Sequence, residues 1–146
     1  MIAPEDYVLM VEDNDDDVVL TLRSFKKNSF PYKVVVVRDG AEALAYLLGI
    51  DAQGERNNRK PVLVLLDLNL PKVLGLEVLK EIRADALLKN VPVVILSSSN
   101  EEKDRIQAQQ LGSDLYIRKP IDINDFDAVP QKIKDFLAAR LPSTQL

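Results

Sequence analysis

Asp67 ends an aliphatic run, residues 62–66, and Glu12 with Asp13, Ser97 and Lys119 stand at the ends of other apolar runs. Three carboxylates, a hydroxyl and an ammonium are parts suited to receiving a phosphoryl group. Carboxylates a few ångströms apart raise one another's pKa unless a cation intervenes, and oxygen donors select a hard divalent ion. Mg2+ suits the set, because it takes one or two carboxylates, retains waters and leaves positions for a phosphoryl oxygen. Lys119 then supplies a point charge for phosphate, Ser97 a hydroxyl donor, and Asp67 a nucleophile able to form an aspartyl-phosphate. Taken singly the same residues have plainer uses. Asp67 alone suits a helix or turn cap, Lys119 a surface lysine, and Ser97 a cap for the helix entering at Glu101, although Ser99 and Asn100 are nearer that position. Asp15, Asp16 and Asp17 read as surface acids that complement a helix dipole.

The set does chemistry only if the fold gathers it. Residues 62–66, VLVLL, are too short and too uniformly apolar for a surface helix, so they read as a strand buried on both faces. Similar runs occupy residues 7–11, 33–37, 91–96 and 114–118, with Pro92 tolerated at a strand start. Between them lie helical patterns. One follows a cap at Asn14 or Asp15 and carries Val18, Leu22 and Phe25; the next follows Asp39-Gly40 and buries Ala43, Leu44, Leu47 and Leu48. Leu76, Leu79 and Ile82 mark the third. The fourth, residues 101–111, has only Ile106, Ala108 and Leu111 as its apolar stripe and should be loosely anchored; Gly112 closes it in a C′ position. In the last region Pro130 predicts a short turn near Asp125 and a helix starting close to the proline, stopped by Pro142, with residues 143–146 frayed. Residues 49–60 are polar and aperiodic, an exposed loop. Five strands alternating with five helices predict an open parallel sheet with helices on both faces, and the polar residues at its carboxyl rim, where such sheets bind ligands.

With 146 residues the chain is expected to be one domain, its core at about 7–141. It has no cysteine and no histidine, which removes thiol and imidazole chemistry and zinc sites built on them. A net charge of −4 without a Lys/Arg cluster argues against nucleic acid, and no run is long enough to span a membrane. The start, MIAPEDYVLMVED, lacks the basic segment of a secretory signal, so a cytoplasmic location is expected.

Val11-Glu12-Asp13-Asn14, Leu66-Asp67-Leu68-Asn69-Leu70-Pro71, Leu96-Ser97-Ser98 and Tyr116-Ile117-Arg118-Lys119-Pro120 together resemble the receiver domain of two-component response regulators. The spacing, 30 residues from Asp67 to Ser97 and 22 onward to Lys119, makes the ordered set specific. The long loop after the second helix and the DLNLPK run are similar to the stand-alone regulators associated with bacterial phytochromes. The resemblance implies a doubly wound, flavodoxin-like α/β fold with strand order 2-1-3-4-5. It implies that Asp67 accepts phosphate from a sensor histidine kinase, with a bacteriophytochrome as the candidate, or from a phosphotransfer protein. Asp13, Asp67 and the Asn69 backbone carbonyl would ligate Mg2+, with Glu12 acting directly or through water. Lys119 would pair with the phosphoryl oxygens, Ser97 and Tyr116 would form a switch pair, and the peptide bond before Pro120 would be cis. The chain would then be a signalling protein rather than an enzyme, with slow self-phosphorylation and autodephosphorylation. It would bind a downstream protein through the face formed by residues 97–141. A homodimer through the fourth helix, fifth strand and fifth helix is a further candidate partner, favoured if that face exposes an apolar patch. Leu74-Gly75 replaces the Asp-Gly frequent in the family, and serine at position 97 lacks the methyl of the commoner threonine.

Three rivals stand beside this reading. An aspartate-nucleophile phosphatase would want a second aspartate two residues after the nucleophile, where this chain has Asn69. A nucleotide-binding protein would want a glycine-rich phosphate loop, which is absent. A degenerate receiver acting as a phosphorylation-independent scaffold would not need the acids and Lys119 that this chain keeps.

Overall fold

The aliphatic runs become five parallel strands, β1 (Tyr7–Val11), β2 (Lys33–Val37), β3 (Leu63–Leu66), β4 (Val93–Ser97) and β5 (Leu115–Arg118), in one sheet ordered β2-β1-β3-β4-β5. The structure, a computed structural model, describes residues 5–49, 56, 60–70, 74–99 and 101–140. The expected turn at Pro71, cap at Asn100, loop over 50–55 and 57–59, stop at Pro142 and fraying of 143–146 lie outside these residues.

Alternation along each strand explains why every position of β1 and β3 is apolar. Leu9, Val11, Val64, Leu66, Val93 and Ile95 face one side, where α2 (Gly40–Leu48), α3 (Gly75–Ala84) and α4 (Glu102–Gln110) cover them. Val8, Met10, Leu63, Leu65, Val94 and Leu96 face the other, beneath α1 (Asp15–Lys27) and α5 (Ala128–Arg140). The inner strands therefore have no solvent face on which a polar residue would be free.

The ends of the helices follow local chemistry. The Asn14 side chain accepts from the Asp17 N–H at 3.0 Å, so of the two residues the sequence offered Asn14 is the cap, and Asp39 Oδ1 caps the next helix by accepting from the Glu42 N–H at 2.7 Å. A 3-10 turn, Ile123–Asp127, precedes α5. Pro130 is the third residue of α5, where its missing N–H has no intrahelical partner to lose. The expected start of α4 needs correction. Neither Ser97 nor Ser99 caps it; the cap residue is Glu101, without a side-chain hydrogen bond. Ala108 is its only buried residue and Ile106 is exposed, so α4 is held thinly along its length.

Its C-terminal end is held firmly. Ser113 N donates to Ala108 O at 2.9 Å and Gly112 N to Gln109 O at 3.0 Å, with Gly112 at φ 100°. Arg83 of α3 adds a clamp, donating to Gly112 O from Nε and Nη2, to Val91 O from Nη1 at 2.7 Å, and to Asp114 Oδ2 at 2.8 Å.

Candidate phosphoryl-acceptor site

Parallel register sets the rim. Val11 lies opposite Leu66 and Leu66 opposite Ile95, so Glu12 and Asp67 leave neighbouring strands at the same level. Backbone bonds pin them there: Glu12 N donates to Val37 O at 3.0 Å, Asp67 N to Val11 O at 3.1 Å, and Lys119 N to Ser97 O at 2.7 Å. The start of α3 presses against this rim. A Cβ on Gly75 would lie 2.3 Å from Asp67 O and 2.6 Å from Leu68 Cα, contacts with backbone that cannot swing aside. Gly75→Ala is therefore expected to displace the Asp67 turn and to cost about 1–3 kcal/mol in urea unfolding. An unchanged midpoint would show that α3 shifts freely.

The side chains converge on one ammonium. Lys119 Nζ lies 2.6 Å from Glu12 Oε1, 2.8 Å from Asp17 Oδ2 and 3.0 Å from Asp67 Oδ2. Glu12 and Asp67 are buried, at 2% and 5% exposure. Their remaining oxygens accept backbone N–H groups, Glu12 Oε2 from Asn14 at 3.2 Å and Asp67 Oδ1 from Asn69 at 3.1 Å. Desolvation is the largest influence on Glu12 and raises its pKa from 4.5 to about 7, reinforced by Asp67 and opposed by Lys119. For Lys119 desolvation works downward, but the hydrogen bonds to Asp17 and Glu12 and the charge of Asp67 hold it well above the ordinary lysine value.

The Glu12 shift has a sign that can be measured. A carboxyl whose folded pKa lies above its unfolded one binds a proton more tightly when folded, so its contribution is full below pH 4.5 and fades as pH rises through about 7. In metal-free protein, the difference in urea stability between wild type and Glu12→Gln should change by about 3 kcal/mol across that window. Parallel pH profiles for the two would refute it.

Carboxylate oxygens of Glu12, Asp13 and Asp67 lie within 4.8 Å of one another. Three hard oxygen donors at that spacing, two on buried residues, fit a divalent cation such as Mg2+. The sequence thus placed Glu12, Asp13, Asp67 and Lys119 at one rim, and they meet there. It misplaced Asp17, which is an ion-pair partner of Lys119 rather than a surface acid. The available signal was spacing: Asp17, Thr21 and Ser24 form one helical stripe, and the last two are buried.

Ser97 is fully buried at the end of β4, and its Oγ accepts from Ser99 N at 3.2 Å. The Tyr116 hydroxyl donates to Ser99 O at 2.9 Å, with the Arg105 guanidinium 5.5 Å from its ring. Ser99 Oγ in turn donates to Asp104 Oδ2 at 2.6 Å. Ser97 and Tyr116 therefore meet through Ser99, which the sequence had marked only as a cap. The expected cis bond before Pro120 is corrected: the peptide is trans, the form favoured by about 0.5–1 kcal/mol for X–Pro. The face of α4, β5 and α5 combines Tyr116 and Phe136 with Arg105, Arg118 and Lys132, so it is mixed rather than apolar. Among the described residues no helix is long and apolar enough to cross a membrane.

Comparison with known proteins gives consistent matches. The profile of the response regulator receiver domain matches residues 8–130. Response regulator Rcp1 of Synechocystis sp. is 38% identical over 134 residues, which are 91% of this chain and 89% of that protein. The crystal structure of the phosphorylated cyanobacterial phytochrome response regulator RcpA superposes with TM-score 0.83 at 38% identity, covering 94% of this chain and 97% of the other. The Mn2+-bound form of Rcp1 gives 0.81 at 34% identity, with the same coverage.

Proposed function

Because this chain belongs to the family of response regulator receiver domains, we propose that it takes a phosphoryl group onto Asp67 from a phosphohistidine on a sensor kinase or phosphotransfer protein. The observation that carries the reading is Lys119 Nζ, 3.0 Å from Asp67 Oδ2, beside the three-carboxylate cluster. An Asp67 oxygen attacks phosphorus, the new P–O bond forms as the P–N bond breaks, and the imidazole leaves with the electron pair. Residues 1–146 contain no histidine, so the phosphohistidine lies outside them. Glu12, Asp13, Asp67 and the Asn69 carbonyl would hold Mg2+, which when bound offsets the negative charge of acids and phosphoryl oxygens. Lys119 stays an ammonium throughout and turns an N–H toward the phosphoryl oxygens.

The Ser97 hydroxyl then turns to the same oxygens and gives up Ser99 N. Ser99 carries the change to Tyr116 and to the first turn of α4, the thinly held element. Similarity to RcpA and Rcp1 supports a phytochrome-type kinase as the donor, acting in the cytoplasm. The response is a change of protein partner, with slow hydrolysis of the aspartyl-phosphate as the reset.

Intact-mass spectrometry after incubation with acetyl phosphate tests this. One phosphoryl mass is expected with Mg2+ and none with chelator, and borohydride reduction should mark Asp67. No adduct and no binding of beryllofluoride would leave a phosphorylation-independent scaffold.

A further inference from the structure

Lys119 has three N–H donors and, among the described residues, three carboxylate partners, and two of those partners are committed elsewhere. Glu12 and Asp67 belong to the carboxylate cluster that fits a divalent cation, and Asp67 becomes an acyl phosphate, a mixed anhydride without a carboxylate charge of its own, when phosphorylated. Asp17 stands outside that cluster. We propose that Asp17 is the positioning residue for Lys119, the contact that keeps the ammonium aimed at the phosphoryl group when both other partners are taken up. The inference rests on the acceptor reading above and adds to it a residue outside the metal cluster.

Asp17 is well placed for this. It lies in the first turn of α1, its N–H donates to Asn14 Oδ1 at 3.0 Å, and its carbonyl accepts from Thr21 Oγ1 at 2.7 Å. Thr21 is fully buried, so the turn is fixed against the core. Asp17 Oδ2 reaches Lys119 Nζ from α1, while Glu12 and Asp67 reach it from β1 and β3. With acetyl phosphate, an Asp67 oxygen bonds to phosphorus, the P–O bond to the acetyl group breaks, and acetate leaves with the electron pair. Lys119 neither gains nor loses a proton in that step; it must only be in place.

The control is next to it in sequence. Asp16 is exposed, carries the same charge in the same turn, and has no ion pair to Lys119 among the described residues. Asp16→Asn and Asp17→Asn therefore change the helix dipole and the repulsion toward an anionic donor alike, and only the second changes the anchor. Initial rates of phosphoryl gain are measured against Mg2+ concentration for wild type and both variants, and Mg2+ binding to unphosphorylated protein is titrated calorimetrically. Asp17→Asn should lower the maximal rate on the order of tenfold, with the Mg2+ isotherm unchanged and Asp16→Asn close to wild type. Equal rates for the two variants, or a loss residing wholly in weaker Mg2+ binding, would overturn it. A wild type that gains no phosphoryl mass overturns the acceptor reading, and this inference with it.

Discussion

Asp67→Asn is expected to gain no phosphoryl mass from acetyl phosphate and Mg2+ while remaining as stable as the wild type or more so. An amide oxygen carries no negative charge with which to attack phosphorus, and no other acid in the cluster has the same place. Asp13 is exposed, and Glu12 is buried against Lys119. Stability moves the other way because Asp67 is a costly neighbour. Its charge and its hydrogen bond both raise the pKa of Glu12, so removing the charge relieves repulsion between two buried acids. Lys119 keeps Glu12 and Asp17 as partners. A rise of about 1 kcal/mol in metal-free urea unfolding is a reasonable scale for a site whose groups are selected for chemistry rather than folding. A fall in the midpoint would show that the ion pair from Lys119 to Asp67 contributes more than the repulsion costs.

Lys119→Met should act in the opposite direction. Glu12, Asp17 and Asp67 lose their shared cation, and two of them are buried. Breaking a buried ion pair from one side typically costs 3–5 kcal/mol, but here Glu12 can take up a proton and Asp17 is partly open to solvent. About 2–3 kcal/mol is the expected loss in metal-free protein. Mg2+ should restore much of it and bind more tightly than to the wild type, because no ammonium competes for the same oxygens. Urea unfolding with and without Mg2+ gives both answers. If the variant and the wild type unfold together in both conditions, Lys119 is not the counter-ion that the distances imply.

Strands could be read from the sequence because a parallel sheet buried on both faces requires unbroken aliphatic runs, and VLVLL before Asp67 has no other economical use. Once the strands are placed, parallel register brings Glu12 and Asp67 level without further information. Pairing within the rim was less legible. Three consecutive acids at a helix start all satisfy the same dipole, and the residue types do not say which of them turns inward; only the buried stripe through Thr21 and Ser24 singles out Asp17. Ser99 was hidden for a similar reason. Its backbone N–H and carbonyl make two of its bonds, to Ser97 and Tyr116, and backbone groups have no residue signature. The peptide before Pro120 was expected to be cis from resemblance alone, with no local feature of the chain demanding it.

The fastening of α4 at one end has a mechanical consequence. Gly112 is tied to the helix and, through Arg83, to α3, whereas Glu101 begins the helix without a side-chain cap. A rod secured in this way pivots rather than slides. Nine residues at about 1.5 Å each give a lever of about 13 Å, so a tilt of about 10° moves the free end by about 2 Å and the clamped end hardly at all. The moving end is the one bonded to Ser99, beside the acceptor. A partner sensitive to the state of Asp67 would therefore register it at Glu102 and Lys103, while a partner gripping Gln110 would find the same surface whether or not the signal had arrived.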